Sequence, residues 1–96
     1  MVINKIRKAI EKQRPLSVEY TKADGTTSRR SIEIYDVKIS QAGDVYFRVQ
    51  DLTRHGSRSF RLDRITSASV LRGRVSFLTR SRAISVRELD TILSGE

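Results

Sequence analysis

The stretch that decides the fold runs Val45-Tyr46-Phe47-Arg48-Val49-Gln50-Asp51-Leu52, then Thr53-Arg54-His55-Gly56, then Ser57-Arg58-Ser59-Phe60-Arg61-Leu62. On both sides of the polar tetrad, apolar and polar residues alternate, the period-two signature of a half-buried strand. Val45, Phe47 and Val49 point to one face, with Phe60 and Leu62 as the inward residues of the returning strand, while Tyr46, Arg48 and Gln50 point to the other. The short glycine-containing connection makes the whole a β-hairpin. Taken as a four-residue loop, the tetrad pairs Leu52 with Ser57 and sets Phe47 opposite Leu62 and Val49 opposite Phe60, so that inward residues meet inward residues. The same register places Arg48 opposite Arg61, Gln50 opposite Ser59 and Tyr46 opposite Asp63 on the outer face. Two opposed arginines repel unless an acid or a bound anion lies between them. Arg48 and Arg61, with Tyr46 beside them as a base-stacking platform, are therefore the sharpest candidate anion site.

Outward from this hairpin the chain supplies the rest of a small β domain. Val2 or Ile3, Ile6 and Ile10 recur at helical spacing among charged residues, predicting an amphipathic N-terminal helix that Pro15 ends. Leu16, Val18 and Tyr20 then alternate with Ser17, Glu19 and Thr21, and Asp24-Gly25 supplies a hairpin turn. In the next strand Arg30, Ile32 and Ile34 share a face, but Val37 and Ile39 have the opposite parity, which requires a bulge near Tyr35-Asp36. Strong bends of this kind close small barrels. Gln41 to Asp44 form a further turn. After Asp63-Arg64, the residues Ile65, Ala68 and Val70 or Leu71 predict another strand, Arg72-Gly73 a turn, and Val75, Phe77 and Thr79 a last strand. Thr79 to Ala83 reads as a linker. Beyond it Ser85 and Glu88 form a capping box, Ile84 and Leu89 a hydrophobic staple, and Leu89, Ile92 and Leu93 one apolar stripe, the marks of a short C-terminal helix. The expectation is a mainly β fold: a barrel domain with its N-terminal helix over residues 1–79, then a linker and helix over 80–96.

Composition bounds the function. A chain of 96 residues makes one domain. Its formal charge of +8, carried mostly by arginine, points to a polyanionic partner, because the planar guanidinium fork pairs bidentately with phosphate and stacks on bases. Without cysteine, and with His55 as the only histidine, disulfides are excluded and zinc chemistry nearly so. No apolar run approaches the roughly 20 residues a bilayer requires, and Met1 to Glu11 is too charged for a signal peptide, so a soluble cytoplasmic protein without membrane contact is expected. Asp24, Asp36, Asp44, Asp51 and Asp63 are scattered among turns and strand ends, and no nucleophilic triad, phosphate-binding loop or dinucleotide fingerprint is present. Neither catalysis nor a cofactor is expected.

Several of these residues resemble a known family, the WYL domain. Arg58-Ser59-Phe60-Arg61-Leu62-Asp63-Arg64-Ile65 is similar to the family's F-R-L-D-R-I signature nearly letter for letter, and Val45-Tyr46-Phe47 stands where the family has Trp-Tyr-Leu. Upstream, Ala9-Ile10 with Val18-Glu19-Tyr20 resembles its helix and first strand, and Arg30-Ser31-Ile32 its R-x-I step; the family's proline two residues after Ile32 is Ile34 here. The resemblance covers Ile6 to Leu71. It implies an Sm-like, SH3-like small barrel that senses ligands or binds single strands in bacterial transcription regulators, helicase appendages and accessory proteins of phage-defence and CRISPR systems. The helix-turn-helix region and longer C-terminal extension of many such regulators are not seen in this sequence, so a stand-alone or excised domain is expected. Carried over residue by residue, the family's basic ligand face implies Tyr20, Arg30, Tyr46, Arg58, Arg61 and Arg64.

Arg48 and Ser59 join that face from the register alone. Tyr20 shares the parity of Leu16 and Val18, so its ring belongs to the core with the hydroxyl near the rim. Arg58 shares the parity of Phe60 and Leu62, and because arginine is rarely buried unpaired it is expected at the barrel mouth. Asp63 is expected to fix a turn with Arg64, and His55 to be a solvated turn residue. The leading expectation is a regulatory or accessory module that binds single-stranded nucleic acid or a nucleotide-like anion. The alternative is an interaction module, in which Leu89, Ile92 and Leu93 dock on a second copy or on a larger regulatory or nucleic-acid-processing partner.

Overall fold

The computed structural model describes residues 1–95. Helix α1 (Val2–Lys12) leads into strands β1 (Leu16–Thr21), β2 (Thr27–Ile39), β3 (Val45–Asp51) and β4 (Gly56–Arg61); a 3-10 turn (Leu62–Arg64) leads to β5 (Ile65–Val70), followed by helices α2 (Phe77–Arg82) and α3 (Val86–Ser94). The strands form one antiparallel sheet in the order β4-β3-β2-β1-β5. The protein is therefore mainly β with helices at both ends of the chain, as its periodicity predicts. The sheet is open, with β4 and β5 as unpaired edges rather than neighbours in a ring.

Curvature nevertheless brings the ends of the sheet together. Tyr35 is the extra residue of β2, since Ile34 pairs with Val49 and Asp36 with Arg48, and this bulge sits where the parity change demanded it. Inside the curve the rings of Tyr20 on β1 and Phe60 on β4 stack with centroids 4.3 Å apart. The Arg61 backbone N–H donates to the Tyr20 hydroxyl at 3.4 Å. Ile6, Leu16, Val18, Ile32, Phe47, Val49 and Leu89 fill the core beneath, each at most 1 % exposed. Ile39, expected to point inward with Val37, stands half in solvent at the end of β2, where it pairs with Val45.

Three expectations are corrected. The first is the register of the decisive hairpin, which is shifted by two residues. Phe47 faces Phe60, Val49 faces Arg58 and Asp51 faces Gly56, leaving Leu52–His55 as the loop. The cause is Asp51. Its carboxylate accepts the N–H groups of Thr53 at 2.9 Å and Arg54 at 3.1 Å, which fixes the turn one residue earlier on β3, and His55 takes the left-handed conformation at φ 56°. A shift of two preserves the face of every side chain but changes every partner.

The second is the last strand. Val75 is buried, whereas Phe77–Arg82 form helix α2, so Thr79 to Arg82 are helical rather than linker. Ser76 caps the helix by accepting the Thr79 N–H, and the buried carboxylate of Glu33 on β2 receives the Ser76 N–H at 3.0 Å, the Ser76 hydroxyl at 2.9 Å and the Thr79 hydroxyl at 2.7 Å. Polar capping outweighs the β alternation there. The third is the stripe of α3. The capping box of Ser85 and Glu88 forms as expected, but Leu89 is fully buried and Ile92 and Leu93 pack against the same core, so the stripe covers the chain's own sheet and α1. An Arg7–Asp90 ion pair of 2.7 Å ties α3 to α1.

Candidate anion-binding site

In this antiparallel meander the β1–β2 loop and the β3–β4 loop lie at the same end of the sheet. Each loop carries an exposed cation, Lys22 on the first and Arg54 on the second. Between them opens a basin of about 400 Å³, lined by Tyr20, Lys22, Arg30, Arg48, Arg54, Ser57, Arg58, Ser59 and Phe60.

The floor of the basin is built on a buried carboxylate. Asp51 is 0 % exposed, yet its oxygens receive three donors, the Thr53 and Arg54 N–H groups and Arg30 Nη1 at 2.5 Å, and form a longer ion pair with Arg58 Nε at 3.3 Å. Burial pushes this carboxyl up, but the Arg54 N–H, the Arg30 guanidinium and the Thr53 N–H together hold it below the usual carboxylate value. Arg30, itself 4 % exposed, is committed to this pair and to the Ser28 hydroxyl at 3.2 Å. Arg58 shares the carboxylate while remaining 44 % exposed at its side chain, at the mouth where its parity placed it.

Arg48 is held differently. Its Nη1 donates to Ser59 Oγ at 2.7 Å and its Nη2 to Ser57 Oγ at 3.1 Å. Asp36, its partner across the β2–β3 ladder, instead accepts the Val37 N–H. The Arg48 guanidinium is thus oriented by two neutral hydroxyls, and among the described residues no carboxylate lies within ion-pair distance of it, of Lys22 or of Arg54. Five cations surround the basin against the single carboxylate of Asp51. Such an arrangement draws in anions and gives a phosphate a fork to bind without first breaking an ion pair.

The structure divides the face expected from sequence. Tyr20, Arg30, Arg48, Arg58 and Ser59 line the basin; Tyr46, Arg61 and Arg64 do not. With the register shifted, Arg48 faces Ser59 and Arg61 faces Tyr46, so the opposed arginine pair does not exist. Arg61 is instead bidentate to Asp63, at 3.0 and 2.7 Å, and bonded to Asp44 at 3.1 Å. Those carboxylates, Asp63 foremost, raise its already high pKa further. Asp63 thus pairs with Arg61 at the end of β4, its side chain 61 % exposed, rather than with Arg64 as expected. Arg64 lies in the 3-10 turn. Lys22, Arg54 and Ser57 had not been identified from sequence; the signal available was that alternate hairpin loops of a meander share an end. Among the described residues no group of three or more His, Cys, Asp or Glu side chains could hold a metal, and no helix is long and apolar enough to cross a membrane.

A model of the WYL domain matches residues 1–70. Among solved structures, the proteasome accessory factor B/C (PafBC) of Arthrobacter aurescens superimposes with a TM-score of 0.71 over 82 % of this chain at 24 % identity. That similarity extends to the fold, and the chain spans 12 % of the PafBC chain. Among curated proteins, no sequence matches.

Proposed function

Because the chain belongs to the WYL domain family, we propose that it is a ligand-binding module whose basin takes single-stranded nucleic acid or a nucleotide-like anion, and that it catalyses nothing. The observation that carries this reading is the state of Arg48. A guanidinium held in one geometry by Ser57 and Ser59, with no acid among the described residues to satisfy it, is preorganised for a phosphate oxygen, so little ordering cost remains to be met on binding. Lys22, Arg54 and Arg58 supply further phosphate contacts around it, and the Tyr20–Phe60 stack provides an apolar wall for a base or sugar. Arg30 supports the site from beneath by fixing Asp51. In a longer protein, or beside a partner, such a module would act as a regulatory or accessory part that reports the presence of its ligand.

Fluorescence anisotropy with a labelled mixed-sequence oligonucleotide, titrated at several salt concentrations, tests this. Affinity is expected to fall steeply with salt, and Arg48→Ala to weaken every sequence alike and flatten the slope of log K against log salt by about 0.7, the value for one single-strand phosphate contact. Arg61→Ala, which removes a guanidinium already matched by Asp44 and Asp63, should change affinity by less than about twofold. Absence of salt-sensitive binding of any oligonucleotide or mononucleotide would end the proposal.

A further inference from the structure

Helix α2 is inverted with respect to the hydrophobic effect. It buries Thr79 and leaves Phe77 76 % and Leu78 53 % exposed. The clamp of Glu33 on Ser76 and Thr79 explains how the helix is held in this orientation, since three hydrogen bonds to one buried carboxylate fix its first turn on the outer side of β2. It does not explain why a phenylalanine and a leucine are displayed to water, where adjacent large apolar side chains mark contact surfaces.

The segment that carries them is rich in arginine and, apart from the buried Glu33 clamp, brings no acid of its own. Between Asp63 and Glu88 the chain contains no acidic residue. Arg72, Arg74, Arg80, Arg82 and Arg87 make no ion pair among the described residues. Arg74 donates to the Gln13 side-chain oxygen at 3.1 Å and Arg80 to the Val75 carbonyl at 2.7 Å, both neutral acceptors. This surface is also joined to the basin. The Arg82 guanidinium carbon lies 5.6 Å from the centroid of the Tyr35 ring, the Tyr35 hydroxyl is hydrogen-bonded to Ser57, and Ser57 accepts from Arg48. Leu78 sits one turn before Arg82 on the same stripe of the helix.

Resting on the reading of the basin as an anion site, we propose that α2 and its flanking arginines continue that site across Tyr35, so that the ligand is a single strand several nucleotides long rather than a lone nucleotide. Arg48 on β3 is one strand spacing, roughly 5 Å, from Tyr35 on the neighbouring β2, the Arg82 guanidinium lies 5.6 Å from the centre of the Tyr35 ring, and α2 adds about 7.5 Å from Arg82 back to Phe77. One phosphate cannot span that distance, whereas a strand can. Arginines that grip successive phosphates, interleaved with an exposed aromatic ring on which any base stacks, are the two components of sequence-tolerant single-strand binding. An acidic protein segment would match the charge but would leave the continuity with Arg48 and its hydroxyl-held fork without purpose.

The test compares a labelled oligothymidylate of about 15 nucleotides, near the upper footprint of a small barrel, with one of about 4 nucleotides. Phe77→Ala and Arg82→Ala are both surface changes, and equal thermal midpoints would confirm that each variant is folded. Phe77→Ala is expected to weaken the long strand by about tenfold, the loss of one stacked base, and to leave the short one within twofold. Arg82→Ala should lower the salt slope for the long strand only, and Arg48→Ala should weaken both lengths. Equal binding of both lengths by the unaltered protein, or no effect of Phe77→Ala and Arg82→Ala on the long strand, would overturn the extension while leaving the basin reading intact. A poly-glutamate peptide that binds the unaltered protein but not Phe77→Ala, with the long strand unaffected by that change, would overturn the extension and assign α2 to an acidic protein instead. Failure of either length to bind at all would overturn both readings.

Discussion

Asp51→Ala is the most informative single change, because Asp51 carries the turn that sets the register and the pair that places Arg30 and Arg58. The substitution removes acceptors for two backbone N–H groups and leaves Arg30, 4 % exposed, without its counter-ion. Breaking a buried ion pair from one side costs about 3–5 kcal/mol. For a domain of 96 residues the whole stability is on the order of 5–14 kcal/mol, so about a fifth of it or more is at stake. With a urea slope of about 1–3 kcal/mol per molar, the denaturation midpoint should fall by more than about 1 M. Asp51→Asn, which keeps an oxygen for the turn but not the charge, should lie between the two. Arg58→Ala, at a partly exposed and longer contact, should cost less than about 1 kcal/mol. A double-mutant cycle between Arg30→Met and Asp51→Leu should show strong coupling, since removing both partners leaves no stranded charge. Because the Asp51 pKa is lowered in the folded chain, its contribution is fully present above the unfolded carboxylate value near 3.9 and is lost as pH falls through the lower folded value. Stability of the unaltered protein should therefore decline in acid below about pH 4 more steeply than that of Asp51→Asn. A midpoint unchanged by Asp51→Ala, or additive effects of the two partners, would refute this account of the hairpin.

Two further outcomes follow from the packing. Glu33→Ala frees three donors at the start of α2 and should cost about 1–3 kcal/mol, with the Phe77–Arg82 amides losing hydrogen-exchange protection before those of the sheet; retained protection would show that α2 does not depend on the clamp. Leu89→Ala empties a fully buried core position and should cost about 2–5 kcal/mol with no change of mass in solution by light scattering, whereas a change of oligomeric state without loss of stability would return the α3 stripe to a partner.

The face of each side chain was legible in the sequence because it depends only on a period of two, counted locally. That is why, Ile39 apart, the inward set of β1 to β4, the bulge at Tyr35 and the exposed position of Arg58 stand where the alternation put them. The α3 capping box was legible for the same reason: its partners are three residues apart. Who faces whom was not. Core parity accepts any shift of two, and the choice between registers was made by the side chain of Asp51, whose three donors come from β2 and the turn and whose second ion-pair partner comes from β4. The candidate site moved with it. Arg61 went to Asp44 and Asp63 at one end of the hairpin, while Arg48 was left to two serine hydroxyls beside the cations of two loops at the other. Helix α2 shows the same limit, since its cap lies partly in Glu33, 43 residues upstream of Ser76. Sequence determined the five strands of the sheet, their faces and the excess of arginine; tertiary structure decided which arginines are neutralised and which remain open, because a carboxylate pairs by distance in space and not along the chain.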